Sequence, residues 1–322
     1  MKVFRVTDPA LQGIFFERMF VWKRQDGLAA LDWGGFQSRN AAMARLIELA
    51  DDTYGLTEFG PLTISTSDQP VNVDPGCICL GFSETDGYED IAIPDFVFDG
   101  WPETGIADYA ETTWEMADAG ASAPEQARCG WIGDPNMHEH RYHLIEISQA
   151  RPDLLDASGI DWVTGDRIRS PIDRDGTMPF NYRSLPQQAS RWSSLIDIEG
   201  RGYSARLKIL LHSGRPVFIQ ERPWREWYWA ELVPMQNFIP VKRDLSDLVE
   251  KLEWAHDNAE EAAAIGRAGQ AFALAKLTRE AALLELAQTL ERVGREHSEA
   301  SYVPEDLRAP LDPVLTSLGA FA

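Results

Sequence analysis

The sequence predicts an α/β protein of two doubly wound domains facing a cleft, followed by a helical C-terminus. Three observations predict it. Short strand-like apolar runs alternate with helically spaced ones in both halves. A polar stretch rich in Gly and Pro separates the halves. The last third carries helical periodicity alone. The chain has 322 residues, which suits two cores at roughly 100–200 residues per domain. With 44% hydrophobic and 25% charged residues, it has the make-up of a folded globular protein and not of a disordered one.

The elements follow in order. The N-terminal run MKVFRVTDPALQGIFFERMFVWKR is broken by Asp8, Glu17 and Arg18, so it reads as neither a signal peptide nor a membrane span. Met43, Leu46, Ile47 and Ala50 in AAMARLIELA share a helix face. Leu62, Ile64 and Thr66 alternate as a strand that ends at Asp68. CICLGF (77–82) reads as a buried strand and IPDFVF (93–98) as another β-prone piece. Residues 100–128, with Trp101, Pro102, Gly105, Gly120 and Pro124, read as irregular and as the crossing between domains. Strands are expected at 195–198, 216–220 and 237–241, with helices beginning at Ser204 and spanning 226–232.

Asp244 with Asp247, Asp257 with Glu260, and Thr278 each precede a helical run. The tail from Ser301 has three prolines and no period, and reads as surface-wrapping or loosely ordered. The expected domains are 1–125 and 126–275, with 276–322 packing back on them.

Asp and Glu number 51 against 30 Lys and Arg, a net charge of −21. That disfavours nonspecific nucleic-acid binding and adsorption to anionic lipid. It leaves room for one basic pocket holding one anionic ligand. Three cysteines, Cys77, Cys79 and Cys129, make no disulfide framework and suit a reducing cytoplasm. Cys77-x-Cys79 lacks a second pair, so no zinc site is expected there. His138, His140 and His143 lack the spacing of a metalloprotease helix and read as loop histidines. Among eleven tryptophans, most read as core, and Trp101 in GWPETG is read as facing an acceptor.

Ligands of doubly wound sheets sit beyond the carboxyl ends of strands, which directs attention to Asp68 and to the residues after Ile198. There a strand runs into Gly200-Arg201-Gly202-Tyr203-Ser204 and then a helix. The glycines permit close backbone approach, and a helix start offers free N–H groups. Arg201, Arg206 and Lys208 add cations, with Arg206 able to fork onto a diphosphate. G-R-G-Y-S is neither G-x-G-x-x-G nor a Walker loop, so an ordinary strand–turn–helix stays open on pattern alone.

The stretch IDIEGRGYSARLKILLHSGRPVFIQERPWREWYWAELVPMQNFIPVKRDLSDLVEKLEWAHDN resembles glycosyltransferase family 90. That family includes capsule-associated and lipopolysaccharide sugar transferases and protein O-glucosyltransferases. The markers are Gly200, Ser204, Arg206, Leu207, Gly214, Trp224, Glu226, Leu232-x-Pro234, Phe238-Ile239-Pro240-Val241 and Asp244-Leu245-Ser246-Asp247-Leu248. Upstream, Phe82-Ser83-Glu84-Thr85, the run Ile93 to Pro102, and Trp131-x-Gly133 followed by Arg141 are also similar to the family.

The resemblance covers residues 60–275 and implies a GT-B fold of two Rossmann-like domains. It implies a nucleotide-sugar co-substrate, usually a UDP-sugar, with no metal or other cofactor, and inverting transfer to a hydroxyl. By the same resemblance Asp68 stands at the catalytic aspartate. Gly133, Arg141, Gly200, Gly202, Ser204, Arg206 and Glu226 stand at nucleotide-sugar positions. The acceptor implied is a glycan or glycolipid, such as a lipopolysaccharide or capsule precursor, at the inner face of the membrane. Membrane contact is then peripheral at most.

Ile132 stands where the family usually has Arg or Lys, which keeps open a nucleotide-sugar-binding protein without turnover. A metal-dependent GT-A enzyme is the other alternative, because Asp173-Arg174-Asp175 and Asp197-Ile198-Glu199 both spell an acidic D-x-D-type pattern.

Overall fold

The computed structural model describes residues 1–6, 13, 16–160, 167–168, 183–296 and 302–321. The Asp173–Asp175 pattern lies outside them. The strands are β1 (Lys2–Arg5), β2 (Arg18–Arg24), β3 (Gly27–Asp32), β4 (Phe59–Ser65), β5 (Cys79–Gly81), β6 (Asp90–Ala92), β7 (Gln126–Gly133), β8 (Leu155–Ile160), β9 (Arg167–Ile168), β10 (Trp192–Asp197), β11 (Val217–Gln220) and β12 (Ile239–Val241). The helices are α1 (Gln37–Tyr54), α2 (Tyr109–Ala121), α3 (Glu139–Ala150), α4 (Leu185–Arg191), α5 (Leu207–Leu211), α6 (Leu248–Asp257), α7 (Ala259–Lys276), α8 (Arg279–Glu296) and α9 (Glu305–Ser317).

Two units form. The first holds Met1–Tyr109, Pro223–Trp229 and Thr278–Ala322, and the second holds Ala110–Arg222 and Ala230–Leu277. The division falls inside α2 and not at 125/126, and the chain from Thr278 onward belongs to the first unit. The stretch read as irregular therefore contains a helix. Gly120 misleads there, because it is a contact glycine: a Cβ on it would lie 1.6 Å from the Ser213 carbonyl oxygen.

In the first unit the sheet order is β1-β3-β2-β4-β5-β6. Strand β2 runs antiparallel to both β3 and β4, and the remaining pairs are parallel. The β2–β3 hairpin turns at Gln25-Asp26, and Gly27 takes φ +114° at its exit, a conformation that favours glycine. The β-prone piece at 93–98 becomes a 3₁₀ turn over Phe96–Phe98, because the Asp95 carboxylate accepts from the Val97 N–H and caps it.

Residues 302–321 of the tail pack onto the first unit. Leu311, Leu315 and Ala320 are buried against Phe20, Trp22, Leu31 and Trp33 of the hairpin region. The Arg24 guanidinium donates twice to the Ala320 carbonyl, at 3.1 and 2.8 Å. The prolines concealed the helix from the sequence: Pro310 and Pro313 lie inside α9.

In the second unit the order is β12-β11-β10-β7-β8-β9, parallel except for β9. This is the doubly wound pattern, and its carboxyl edge gathers Gly133, Asp197 and Gln220. Gly130 lets β7 lie beneath Trp192, where a Cβ would come within 1.7 Å of the indole. Cys129, Trp131, Ile196, Ile198, Phe218, Ile239 and Val241 form part of the core with residues of α3, α6 and α7. The helix expected from Ser204 starts at Leu207 and is only five residues long. The helix expected at 226–232 is a 3₁₀ turn, Trp229–Glu231. Arg225 exchanges backbone hydrogen bonds of 2.8 and 2.9 Å with Glu84, which draws the segment out before a helix can form. Among the described residues, no helix is long and apolar enough to cross a membrane.

Candidate functional site

In the first unit, the end of β4 is tied to the start of α1 through polar side chains. Asn40 donates to Asp32 Oδ1 at 2.6 Å, and Thr66 Oγ1 donates to Asn40 Oδ1 at 2.7 Å. Arg39, 7% exposed, donates from Nη1 to the Thr66 carbonyl at 3.0 Å and to Asp68 Oδ1 at 2.8 Å. Its guanidinium lies 4.0 Å from the Phe36 ring centroid, 5.0 Å from that of Phe96 and 5.8 Å from that of Trp101. The Asp68 side chain is 33% exposed. Arg39 thus brings together two expected site residues, Asp68 and Trp101. Trp101 is half-buried and edge-on to Phe96 at 5.2 Å, so part of its surface is spent on packing.

Glu226, expected beside the nucleotide, is held in the first unit. It is buried, and its Oε2 accepts from the Tyr228 hydroxyl at 2.8 Å. Its charge helps raise the Tyr109 hydroxyl well above its ordinary value, after burial and alongside Asp95.

In the second unit, Gly133, Gly200, Gly202, Ser204 and Arg206 belong to the carboxyl edge of the sheet or to the loop that follows it, and Arg141 stands in the first turn of α3. The organiser of that edge is Asp197, fully buried at the end of β10. Ser204 Oγ donates to its Oδ1 at 2.6 Å and Arg206 Nε at 3.3 Å, while Arg222 Nη2 donates to Oδ2. Burial raises the Asp197 carboxyl, but Arg222, Arg206 and the Ser204 hydrogen bond outweigh it, so the group lies below the ordinary carboxylate range. Arg206 Nη1 also donates to the Ile132 carbonyl at 3.0 Å.

Arg141 stands beside them. It donates to the carbonyls of Glu199 at 2.8 Å and Asp134 at 2.9 Å. Burial and the like charge of Arg206 press its guanidinium down to about 9. The Trp131 indole supports both arginines, with Cζ of Arg141 5.6 Å and Cζ of Arg206 5.5 Å from its centroid. Gly200 keeps no left-handed backbone. A Cβ there would come 3.0 Å from Arg141 Nη2, a tight contact with the end of a long side chain. Lys208 is fully buried and donates to the Ala205 carbonyl at 3.0 Å, so its ammonium is used inside the fold. With α5 so short, the cations come from side chains, and the helix-start contribution expected from the sequence is absent here.

Glu199 is also buried, and its partners differ from those of Asp197. Its Oε1 lies 3.1 Å from His140 Nδ1, 3.7 Å from His138 Nε2 and 3.0 Å from Arg243 Nε. Gln220 locks this group: its Oε1 accepts from the Glu199 N–H at 2.9 Å, and its Nε2 donates to the Arg243 carbonyl at 2.6 Å and lies 2.8 Å from His140 Nδ1. His138 Nδ1 accepts from the His140 N–H at 3.2 Å. Burial lowers the His138 imidazole more than the Glu199 charge raises it. His138, His140 and Glu199 lie close enough to share a metal ion. Arg243, Gln220 and a backbone N–H meet the same cluster and brace it by hydrogen bonds. The sequence missed Arg39 and Arg222 because Asp68 and Asp197 lie 29 and 25 residues away from them, and it named His138, His140 and Glu199 without the Gln220 and Arg243 that join them.

The sequence pattern of glycosyl transferase family 90 matches residues 62–285. Among curated relatives, uncharacterized protein 035R of Invertebrate iridescent virus 3 is 29% identical over 197 residues, covering 59% of this chain and 17% of that protein. Protein O-glucosyltransferase 3 of Rattus norvegicus is 30% identical over 135 residues, covering 42% and 25%. Protein O-glucosyltransferase 1 of Rattus norvegicus is 27% identical over 212 residues, covering 63% and 53%. The matched regions therefore span about half of these relatives' length or less. A crystal structure of Anabaena Alr3699/HepE in complex with UDP-glucose overlaps 60% of this chain and 46% of its own, at 15% identity and a TM-score of 0.34, an overlap too slight to carry an argument.

Proposed function

The chain belongs to glycosyl transferase family 90, and from that membership and the two clusters above we propose that it transfers a sugar, with inversion, from a UDP-sugar to a hydroxyl of a glycan or glycolipid. One observation carries the reading. Around the carboxyl edge of the second sheet, among the described residues, three guanidiniums (Arg141, Arg206, Arg222) gather about the Asp197 carboxylate, with the Asp134 carboxylate also acting on Arg141. In a protein of net charge −21, a gathering of guanidiniums at the strand ends of a doubly wound sheet fits an anionic ligand. A nucleoside diphosphate is that anion.

In this reading Arg141 and Arg206 bind the diphosphate and take up the negative charge that grows on it as the glycosidic bond breaks. The guanidiniums supply that stabilisation themselves, so transfer continues in the presence of EDTA. Asp68 takes the proton of the acceptor hydroxyl, and the exposed part of Trp101 lies against the acceptor sugar. The acceptor class, a lipopolysaccharide or capsule precursor met in the cytoplasm, follows by analogy with the family.

The test is calorimetric titration with UDP beside a transfer assay over a panel of UDP-sugars. Arg206→Ala is expected to weaken UDP by about tenfold or more, since a charged hydrogen bond contributes about 1.5–3 kcal/mol. Asp68→Asn is expected to abolish transfer and to leave UDP affinity unchanged. Unaltered UDP affinity in Arg206→Ala, or full activity in Asp68→Asn, ends the proposal. A second reading, a nucleotide-sugar-binding protein without turnover, is favoured by Ile132, a buried apolar side chain at a position usually basic in the family. Saturable UDP binding with no transfer to any acceptor would select it.

A further inference from the structure

We propose that Arg39 is a positioning residue for the transfer reaction, holding the Asp68 carboxylate with one oxygen anchored and the other open to the acceptor. The inference rests on Asp68 being the base of the proposed transfer. Arg39 Nη1 reaches both the Thr66 carbonyl, at 3.0 Å, and Asp68 Oδ1, at 2.8 Å. One guanidinium nitrogen therefore ties the side chain at 68 to the backbone two residues earlier. Among the described residues, no donor meets Asp68 Oδ2. A carboxylate tethered through one oxygen presents the other in a defined direction, as proton abstraction requires.

The guanidinium is itself fixed. Phe36, Phe96 and Trp101 surround it, with Phe36 only 4.0 Å away. Phe96 is 1% exposed and supplies the rigid wall. Phe36 is 41% exposed, a large apolar surface left in water at the N-terminus of α1, and its contact with the guanidinium accounts for its place there. Arg39 lies in the first turn of α1, and Asn40 beside it locks that turn to Asp32 and Thr66. Helix, strand end and loop are thus joined at the residue that grips Asp68. A merely structural ion pair would need neither the exposed ring nor a second oxygen that no donor among the described residues meets.

Steady-state kinetics of Arg39→Met, Arg39→Lys and Arg39→Ala in the full chain test this, with UDP affinity and the thermal midpoint measured on each. Arg39→Met is expected to lower kcat by about 10²-fold, the scale of a small misplacement of a catalytic group. KM for acceptor and Kd for UDP are expected to stay within about twofold of the parent, because the residue touches neither. Arg39→Lys keeps the charge but loses the planar fork, and is expected to fall between the two. Added guanidinium ion is expected to restore part of kcat to Arg39→Ala, which a purely structural role would not allow.

Should Arg39→Met fail to fold, Phe36→Leu loosens the cage from its exposed side, and a severalfold loss in kcat at constant Kd is expected. An unchanged kcat in a folded Arg39→Met or Phe36→Leu overturns the inference, as does the absence of guanidinium rescue in Arg39→Ala. Activity in Asp68→Asn would instead remove the reading beneath it.

Discussion

Asp197 and His212 show what burial does to single residues in this chain. Asp197 is fully enclosed, yet it stays ionised because two guanidiniums and a hydroxyl meet it. His212, 2% exposed, lies with its Nε2 3.2 Å from the Leu277 carbonyl, and burial pushes its imidazole down to about 4 from an ordinary 6.5. The unfolded chain therefore binds a proton that the folded chain refuses between those values. Stability rises with pH through that window: it is complete above about 6.5 and falls by about 3 kcal/mol on the way down to 4. Denaturant titrations from pH 7 to 4 are expected to show the loss in the parent and a shallower one in His212→Gln. Equal slopes would mean that His212 is protonated in the fold. Ser204 and Arg206 were legible in the sequence because they sit in one loop with two glycines. Arg222 and Arg39 were not, since an arginine read alone carries no sign of the carboxylate it will meet.

Elements were legible where hydrophobic spacing was regular. Helices α1, α6, α7 and α8 and strands β4, β10 and β11 lie where periodicity places them. The failures have local causes. Gly120 reads as a breaker but is a helix residue that makes room for the Ser213 backbone. Helix α5 is short, all five of its residues are buried, and its N-cap Arg206 makes no side-chain cap hydrogen bond, so no capping pattern marks its start. Helix α9 carries two prolines, which raise its intrinsic cost, and its place is secured by burying Leu311 and Leu315 completely. Leu311→Ala is accordingly expected to destabilise the protein by about 2–5 kcal/mol, as in a well-packed core. A change below about 0.5 kcal/mol in chemical denaturation would return the tail to the loose surface segment its sequence suggests.

At the scale of the molecule, chain order and unit membership part company. The first unit takes its pieces from the start, the middle and the end of the chain, while the second keeps the doubly wound sheet with its arginines. A nucleotide bound by the second unit should leave a mark in sequence terms. Hydrogen–deuterium exchange with and without UDP is expected to slow at residues 131–141 and 197–206 and to stay unchanged over the tail residues 302–321. Uniform protection, or none in the first two segments, would count against the arginine cluster as the nucleotide site.

The amino-acid sequence alone determined the α/β class, the family, the strand-to-loop passage through Gly200 and the cations placed beside it, because those signals are written in contiguous residues. Tertiary structure decided which carboxylate each cation meets, where the units divide, and that the last helix closes the first core. Those outcomes depend on contacts between residues far apart in the chain, and short-range spacing does not encode such contacts.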